Sequence, residues 1–381
     1  MKICFFPHFS FSNRDGATLS MYNIIDVLTS RGHQVVVVLP NENNLEERLG
    51  HKEIKFIHVP MYSMRMTIDR LNAASRAKFL LKYLHNQRCV SKIVSLLRDE
   101  KIDVVHINGL DSSVGAKVAR KLGVPVVWHV RQFMEDDLGK KLFREKETYD
   151  LARRAEAVVG ISKDVAAKFE KVFGRPVRLV YNGIPRAKYE LRDHEILKEK
   201  PAKLLLAGRI SLQKGQMVAI KAVELLKNEG EVDCRLTLIG QGETKEYLAG
   251  VESYIRDHGL SEHVTVLGHS DDLLSLRGEH DIGLTCSQKE AFGRVTVENM
   301  MAGMLAIGAA SGGTPEIITD GTDGYLYKVD DPEDLARVIK KAVKDPETSR
   351  AVAKRGYQRS LDVFSIERVV DEVESIYREV V

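Results

Sequence analysis

The stretch Glu290-Ala291-Phe292-Gly293-Arg294-Val295-Thr296-Val297-Glu298 lies between the short apolar run Asp281-Ile282-Gly283-Leu284-Thr285-Cys286 and the helix-like run Asn299-Met300-Met301-Ala302. Its order is strand, loop, helix. Gly293 lets the backbone pass close to a ligand, and Arg294, Val295 and Thr296 would offer N–H groups at the start of the helix, where a phosphate is best held. Glu290 falls in the loop and Glu298 on the first turns of the helix. A buried, unpaired acid is costly, so one carboxylate on each side of an anion-binding helix start is a poor packing device. Two acids that accept hydrogen bonds from sugar hydroxyls would account for them; the plainer alternative is a solvated helix start with two surface acids.

Outward from this stretch, short apolar runs alternate with amphipathic runs along almost the whole chain, the pattern of an α/β protein with parallel sheets. Ile3–Phe6 reads as the first strand, and the loop Ser10–Gly16 opens a helix near Ala17 that stops at Gly32. Val35–Leu39 is a continuous apolar strand of the kind buried on both faces. Ile54–Val59, Val104–Ile107, Val124–Trp128, Ala157–Ile161 and Arg178–Tyr181 continue the strands, with helices near Ala73–Arg98, Ser113–Leu122, Gly139–Ala155 and Lys163–Phe173. The turn Asn182-Gly183-Ile184-Pro185 closes this half, and the polar segment 186–200 reads as a linker. A second alternation follows, with strands at Lys203–Ala207, Arg235–Ile239, Val264–Leu267, Ile282–Thr285 and Leu305–Gly308. The expected organisation is a first domain over 1–185, a second over 201–364, and a terminal helix over 365–381 with Ile366, Val369, Val370, Val373, Ile376, Tyr377 and Val380 on one face. Both halves read as doubly wound, Rossmann-like units, whose ligands sit beyond the carboxyl ends of the strands. Two facing units would put the site in a cleft between them.

A chain of 381 residues is comfortable for two such domains. The net charge of +3 is small and the charges are mixed, so nothing calls for nucleic acid as a partner. Cys4, Cys89, Cys234 and Cys286 are far apart with no metal-ligand spacing, which suits reduced thiols. The apolar run at the N-terminus is too short for a signal peptide, and no segment approaches the ~20 apolar residues of a membrane span. A cytoplasmic protein is expected.

After Lys203–Ala207 comes Gly208-Arg209-Ile210-Ser211-Leu212-Gln213-Lys214-Gly215, a Gly-bounded loop with two cations five residues apart. Arg209 can make paired hydrogen bonds to phosphate oxygens and Lys214 adds a point charge, a natural diphosphate clamp. Lys214 is followed by Gly, so this is not a Walker loop; two exposed loop cations is the alternative reading. Together with Glu290 and Glu298, separated by seven residues around Phe-Gly, the segment resembles the signature of retaining nucleotide-sugar glycosyltransferases of the GT-B fold, glycosyltransferase family 4. The resemblance implies two facing Rossmann-like domains and transfer of a sugar from a nucleotide-diphosphate donor, most simply a UDP-sugar, to an acceptor hydroxyl of a glycan, lipid-linked or cell-envelope precursor. It also implies that Arg209 and Lys214 hold the diphosphate with no metal or other cofactor, that Glu298 accepts from the ribose hydroxyls, and that Glu290 contacts the transferred sugar. Backbone around Phe292, Gly293, Arg294 and Val295 would position donor groups. Gly312-Gly313-Thr314-Pro315-Glu316 resembles the family's Gly-Gly element near the donor, with Gly313 as a contact; a tight turn before a helix is the local alternative. A sugar phosphorylase, a nucleotide-sugar epimerase or a non-catalytic sugar-nucleotide binder would use the same clamp.

In the first half, His129 follows Val124–Trp128 and matches a family histidine at the donor sugar or leaving group; a satisfied core histidine is the alternative. Arg131 would add positive charge for an anionic acceptor. Two positions depart from the family pattern. Asp15-Gly16-Ala17 stands where a glycine pair is usual, so only Gly16 carries over and Asp15 becomes a helix cap or acceptor contact. Pro185 stands where the family usually has Asp. Finally, 61–98 holds Arg65, Arg70, Arg76, Lys78, Lys82, Arg88, Lys92 and Arg98 against Asp69, interleaved with Met61, Met64, Met66, Leu71, Phe79, Leu80, Leu81 and Leu84. Such a stretch would rest peripherally on an anionic membrane or hold a lipid-diphosphate acceptor, or form an ordinary solvated basic face.

Overall fold

The computed structural model describes residues 1–8, 15–40, 53–68, 72–111, 113–135, 139–189, 195–270 and 272–381. Residues 10–14 of the expected first loop, Asp69, Arg70 and Leu71 of the basic stretch, and 190–194 of the expected linker lie outside the described residues. The chain divides into two compact units: Met1–Gly183 with Ile366–Val381, and Ile184–Ser365.

The first unit contains β1 (Lys2–Phe6), β2 (Gln34–Leu39), β3 (Ile54–His58), β4 (Arg65–Thr67), β5 (Val104–Asn108), β6 (Val126–Val130), β7 (Lys140–Leu142), β8 (Ala157–Gly160) and β9 (Arg178–Leu179). Among the described residues, seven of these form a parallel sheet in the order β3-β2-β1-β5-β6-β8-β9. Central β1 pairs Phe5 with Val37 on one side and with His106 on the other. The direction of winding reverses between β1 and β5, the crevice where such sheets bind ligands. One face is closed by the helices Gly16–Ser30 and Ile366–Val380: Ile366, Val369, Val370, Val373, Ile376 and Tyr377 are buried in one cluster with Ile3, Phe5, Met21 and Ile25.

The second unit contains β10 (Ala202–Ala207), β11 (Cys234–Ile239), β12 (Val264–Leu267), β13 (Ile282–Thr285), β14 (Leu305–Ala309) and β15 (Tyr325–Tyr327), ordered β12-β11-β10-β13-β14-β15. Its parallel strands reverse direction of winding between β10 and β13. The expected alternation and parallel sheets are therefore present in both units. All four cysteines are buried free thiols. No helix among the described residues is long and apolar enough to cross a membrane.

Four local expectations change. β6 starts at Val126 and runs to Val130, so His129 lies inside the strand rather than beyond its end. The helix expected over 139–155 spans only Glu145–Arg153; Gly139 and Arg144 both take left-handed backbone, and between them β7 pairs antiparallel with β4. Residues 195–200, expected as linker, belong to the second unit: Ile196 and Leu197 are buried in its core, and the Leu197 N–H donates to Asp281 Oδ1 at 2.7 Å. The long helix Pro346–Phe364 was not anticipated.

Candidate functional site

In a parallel sheet every strand-to-helix loop leaves the same edge. The loops after β10, β13 and β14 therefore gather at the winding reversal of the second unit. Backbone contacts lock them together. The Gln288 N–H donates to the Gln213 carbonyl at 2.9 Å, the Gly313 N–H to the Glu290 carbonyl at 2.8 Å, and Ser311 Oγ to the Gln288 carbonyl at 2.5 Å. Gly215 and Gly312 are required by this interlock. Both have left-handed backbone, at φ 69° and 55°, and a Cβ would stand 2.1 Å from the Cys286 carbonyl oxygen and 2.2 Å from that of Glu290. The buried Gln216 side chain ties the clamp loop to its helix, accepting from the Ser211 N–H at 3.2 Å and donating to the Arg209 carbonyl at 2.9 Å.

On this frame Lys214 and Glu290 meet, with Nζ 2.8 Å from Oε2. Burial raises the Glu290 pKa, but the Lys214 ammonium and the Ser287 hydroxyl outweigh it and leave the carboxyl below its ordinary value. Arg209 is 61% exposed and stands 3.5 Å from Glu243, a surface pair that costs little to exchange for a ligand. Gly293, at φ 106°, begins the helix Arg294–Met301. Of the three N–H groups expected as anion donors, that of Thr296 is spent on the Gly293 carbonyl at 3.0 Å. Phe292 is buried, its ring edge-on to Phe364 at 5.8 Å. Val295 is half-buried on the first turn, and Gly313 is buried with its N–H committed to Glu290.

Glu298 is not a lone acid. Arg277 Nη2 lies 2.7 Å from its Oε2 and Arg294 Nη2 lies 3.3 Å from its Oε1. Arg277 is only 3% exposed and also donates from Nε to Asn299 Oδ1 at 3.1 Å. Tyr189 is coupled to this group: burial pushes its phenol up, the Glu298 charge adds to that, and Arg277 and Arg294 oppose it. Arg277, Asn299, Tyr189 and Gln216 were not anticipated. Arg277 is the next-to-last residue of Leu-Leu-Ser-Leu-Arg-Gly, where a cation usually serves the helix terminus.

Gly16 and His129 belong to the first unit. Gly16 is the exposed first residue of its helix, and Asp15 caps that helix, accepting from the Thr18 N–H at 3.0 Å while holding His8 Nε2 at 2.9 Å. His129 is fully buried within its strand, the placement of the core-histidine alternative. Its Nδ1 faces Arg131 Nη2 at 3.2 Å, and its ring lies 5.4 Å from that of His106, whose Nδ1 meets the Tyr377 hydroxyl at 2.6 Å. Burial, then the Arg131 charge, holds both imidazoles well below their ordinary pKa, so they are neutral. Arg131 is itself buried, donating to Asn108 and, at 2.5 Å, to Asn182. In the basic stretch Met61 and Met64 are buried, which removes them from any lipid-facing surface.

Two family models divide the chain between them. Glycosyltransferase Family 4 matches residues 14–188, and Glycosyl transferases group 1 matches residues 188–359. The chain is 25% identical over 364 residues to N-acetyl-alpha-D-glucosaminyl L-malate synthase of Bacillus anthracis, covering 93% of this chain and 91% of that protein. It is 20% identical to UDP-Gal:alpha-D-GlcNAc-diphosphoundecaprenol alpha-1,3-galactosyltransferase of Escherichia coli, over 82% of this chain and 86% of that one. The crystal structure of Anabaena HepE in complex with UDP shares the fold, with a TM-score of 0.81 at 21% identity and full coverage of both chains. With the two family models meeting at residue 188 across this pair of Rossmann-like units, the chain belongs to glycosyltransferase family 4, the glycosyl transferases group 1 of the GT-B fold.

Proposed function

We propose that this glycosyltransferase moves a hexose from a UDP-sugar to a hydroxyl of a glycan, lipid-linked or cell-envelope precursor, with retention of anomeric configuration. The observation that carries the reading is the interlocked set of loops that brings Lys214 to Glu290 beside the helix bearing Glu298. The UDP in the HepE complex and the UDP-Gal donor named for the Escherichia coli relative favour uridine as the base. Arg209 and Lys214 would neutralise charge developing on the departing diphosphate, in place of a metal ion. A donor phosphate oxygen would take the acceptor hydroxyl proton as the C1–O bond to the diphosphate breaks and the new bond forms on the same face. Glu290 would contact the transferred sugar and Glu298 the ribose. His129, being buried, would act by orienting Arg131 rather than by touching sugar.

A peripheral contact with an anionic membrane belongs to the same reading. Leu80, Leu81 and Leu84 are 47%, 69% and 49% exposed on the helix that also carries Lys78, Arg88 and Lys92. The protein would then work at the cytoplasmic membrane face. Thermal shift with UDP-, GDP- and ADP-sugars tests the donor: one nucleotide class should stabilise the wild type, and Arg209→Ala or Lys214→Ala should weaken it roughly 10–100-fold. NMR of the product's anomeric proton then tests retention. No stabilisation by any nucleotide, or variants that bind as well as wild type, would overturn the donor assignment.

A further inference from the structure

Among the helices Ala73–Leu97, Ser113–Leu122 and Glu145–Arg153 of the first unit lies an open pocket of about 870 Å³. All its lining residues belong to the first unit, whereas the loops after β10, β13 and β14 belong to the second. Val90 and Leu151 are its apolar lining, and the rest of the lining carries six cations against two acids, a net charge of +4. The acids are already engaged. Glu147 accepts from Tyr83 Oη at 2.9 Å and pairs with Lys117 at 2.5 Å and Arg144 at 3.5 Å, while Asp150 is bridged by Arg153. Among the described residues Arg120, Lys146 and Arg154 have no carboxylate partner, and Lys121 Nζ donates to the Ser91 hydroxyl at 3.2 Å.

Gathering unneutralised like charges around one concavity costs self-repulsion, which a multiply charged anion would relieve. The pocket is of the size that takes small ligands. Its wall is also held in place: Arg144, at φ 58° in the left-handed region costly for a non-glycine residue, and Lys117 lie 4.7 Å and 4.8 Å from the centre of the Tyr83 ring. Guanidinium forks with ammonium point charges are the set that recognises phosphate.

We propose that this pocket is a second site that binds a phosphate-bearing ligand, distinct from the sugar donor. Two sources supply that chemistry. A soluble phosphate would use the cations alone. A lipid headgroup would add its chains along the exposed Leu80 and Leu84, which continue the helical stripe of Gln87 at i, i+4 and i+7.

The full-length Arg209→Ala/Lys214→Ala protein, with its donor clamp silenced, is titrated calorimetrically with inorganic pyrophosphate and floated with phosphatidylglycerol or phosphatidylcholine vesicles. The same probes are applied after adding Arg120→Glu/Lys146→Glu/Arg154→Glu, and separately a charge-matched control of exposed cations on other helices, Lys171→Glu/Lys245→Glu/Lys354→Glu. The three pocket residues are exposed, and Arg120→Gln/Arg154→Gln replaces the triple change if circular dichroism shows it unfolded. Binding of pyrophosphate, weakened at least about tenfold by the pocket changes and not by the control, supports the site and identifies a soluble ligand. Capture by phosphatidylglycerol vesicles alone, lost in the same selective way, supports it and identifies a headgroup. Absence of both, or equal loss in pocket and control variants, overturns it.

Discussion

Arg277→Met is the substitution that most directly tests the account of Glu298. Arg277 is 3% exposed and its guanidinium serves two acceptors, Glu298 Oε2 at 2.7 Å and Asn299 Oδ1 at 3.1 Å. Methionine keeps most of the volume and removes both donors. Glu298, 15% exposed, would keep only Arg294 of the two arginines at 3.3 Å, and Asn299, whose Nδ2 already lacks a partner among the described residues, would lose its acceptor contact as well. Breaking one side of a buried ion pair costs about 3–5 kcal/mol. For a cooperative unit of this size each kcal/mol lowers Tm by about 2–4 °C, so the melting transition of the second unit should fall by roughly 6–20 °C. The companion variant Arg277→Met/Glu298→Leu removes both charges, and apolar replacement of a whole buried pair is close to neutral. Differential scanning calorimetry should therefore show the double variant melting well above the single one, although only the double variant removes the carboxylate proposed to hold the ribose. A single variant that loses less than about 2 °C, or a double variant that melts below it, would refute the reasoning.

Gly215→Ala and Gly312→Ala place a Cβ 2.1 Å and 2.2 Å from a facing carbonyl oxygen at positive φ; each should destabilise by more than about 1–3 kcal/mol and abolish donor-induced thermal shift, and a wild-type melt with either would show that the loops are not interlocked. Glu290 has a folded pKa below its ordinary value of 4.5, so the stability that it adds is present above that value and is lost as pH falls through the folded pKa. The Tm gap between wild type and Glu290→Gln should accordingly close in acid; a gap as wide at pH ~3 as at pH ~7 contradicts the Lys214 pair. His106 and His129 are held neutral, below their ordinary 6.5, so their contribution is present above about pH 6.5 and is lost as pH falls toward the folded values. Each should steepen the loss by up to about 1.4 kcal/mol per pH unit, and urea midpoints that do not differ between wild type and His106→Gln/His129→Gln in their pH dependence would count against it.

The meeting of Lys214 with Glu290, ahead of the helix that carries Glu298, was legible because parallel α/β topology sends every strand-to-helix loop to the same edge, so chain order alone brings the loops after β10 and β13 together. The burial of His129 was not legible because the strand bounds shift. With β6 at Val126–Val130 its side chain falls on the face of Val127, in the core under the helix Ile366–Val380, and a stretch apolar from Val124 to Trp128 gives no sign of where pairing starts. Arg277 failed for another reason: its burial is decided by Glu298 and Asn299, more than twenty residues away, and nothing local marks it.

That missed arginine changes how the two acids should be understood. A carboxylate beside a diphosphate repels it, which would make Glu290 and Glu298 liabilities in a donor site. Each instead comes with its own cation, Glu290 with Lys214 and Glu298 with Arg277 and Arg294, so their oxygens remain acceptors for hydroxyls while their charge is compensated. With Arg209 paired only at the surface to Glu243, four cations stand against three acids before any donor arrives. The positive excess is then borne by Arg209, the group most exposed and most cheaply diverted to a phosphate. On this account Arg209→Ala should weaken an intact UDP-sugar and UDP by similar factors and uridine hardly at all, whereas Arg277→Met should weaken all three. Calorimetric titration separates the two patterns, and a uridine affinity that falls with Arg209 would refute the division of labour.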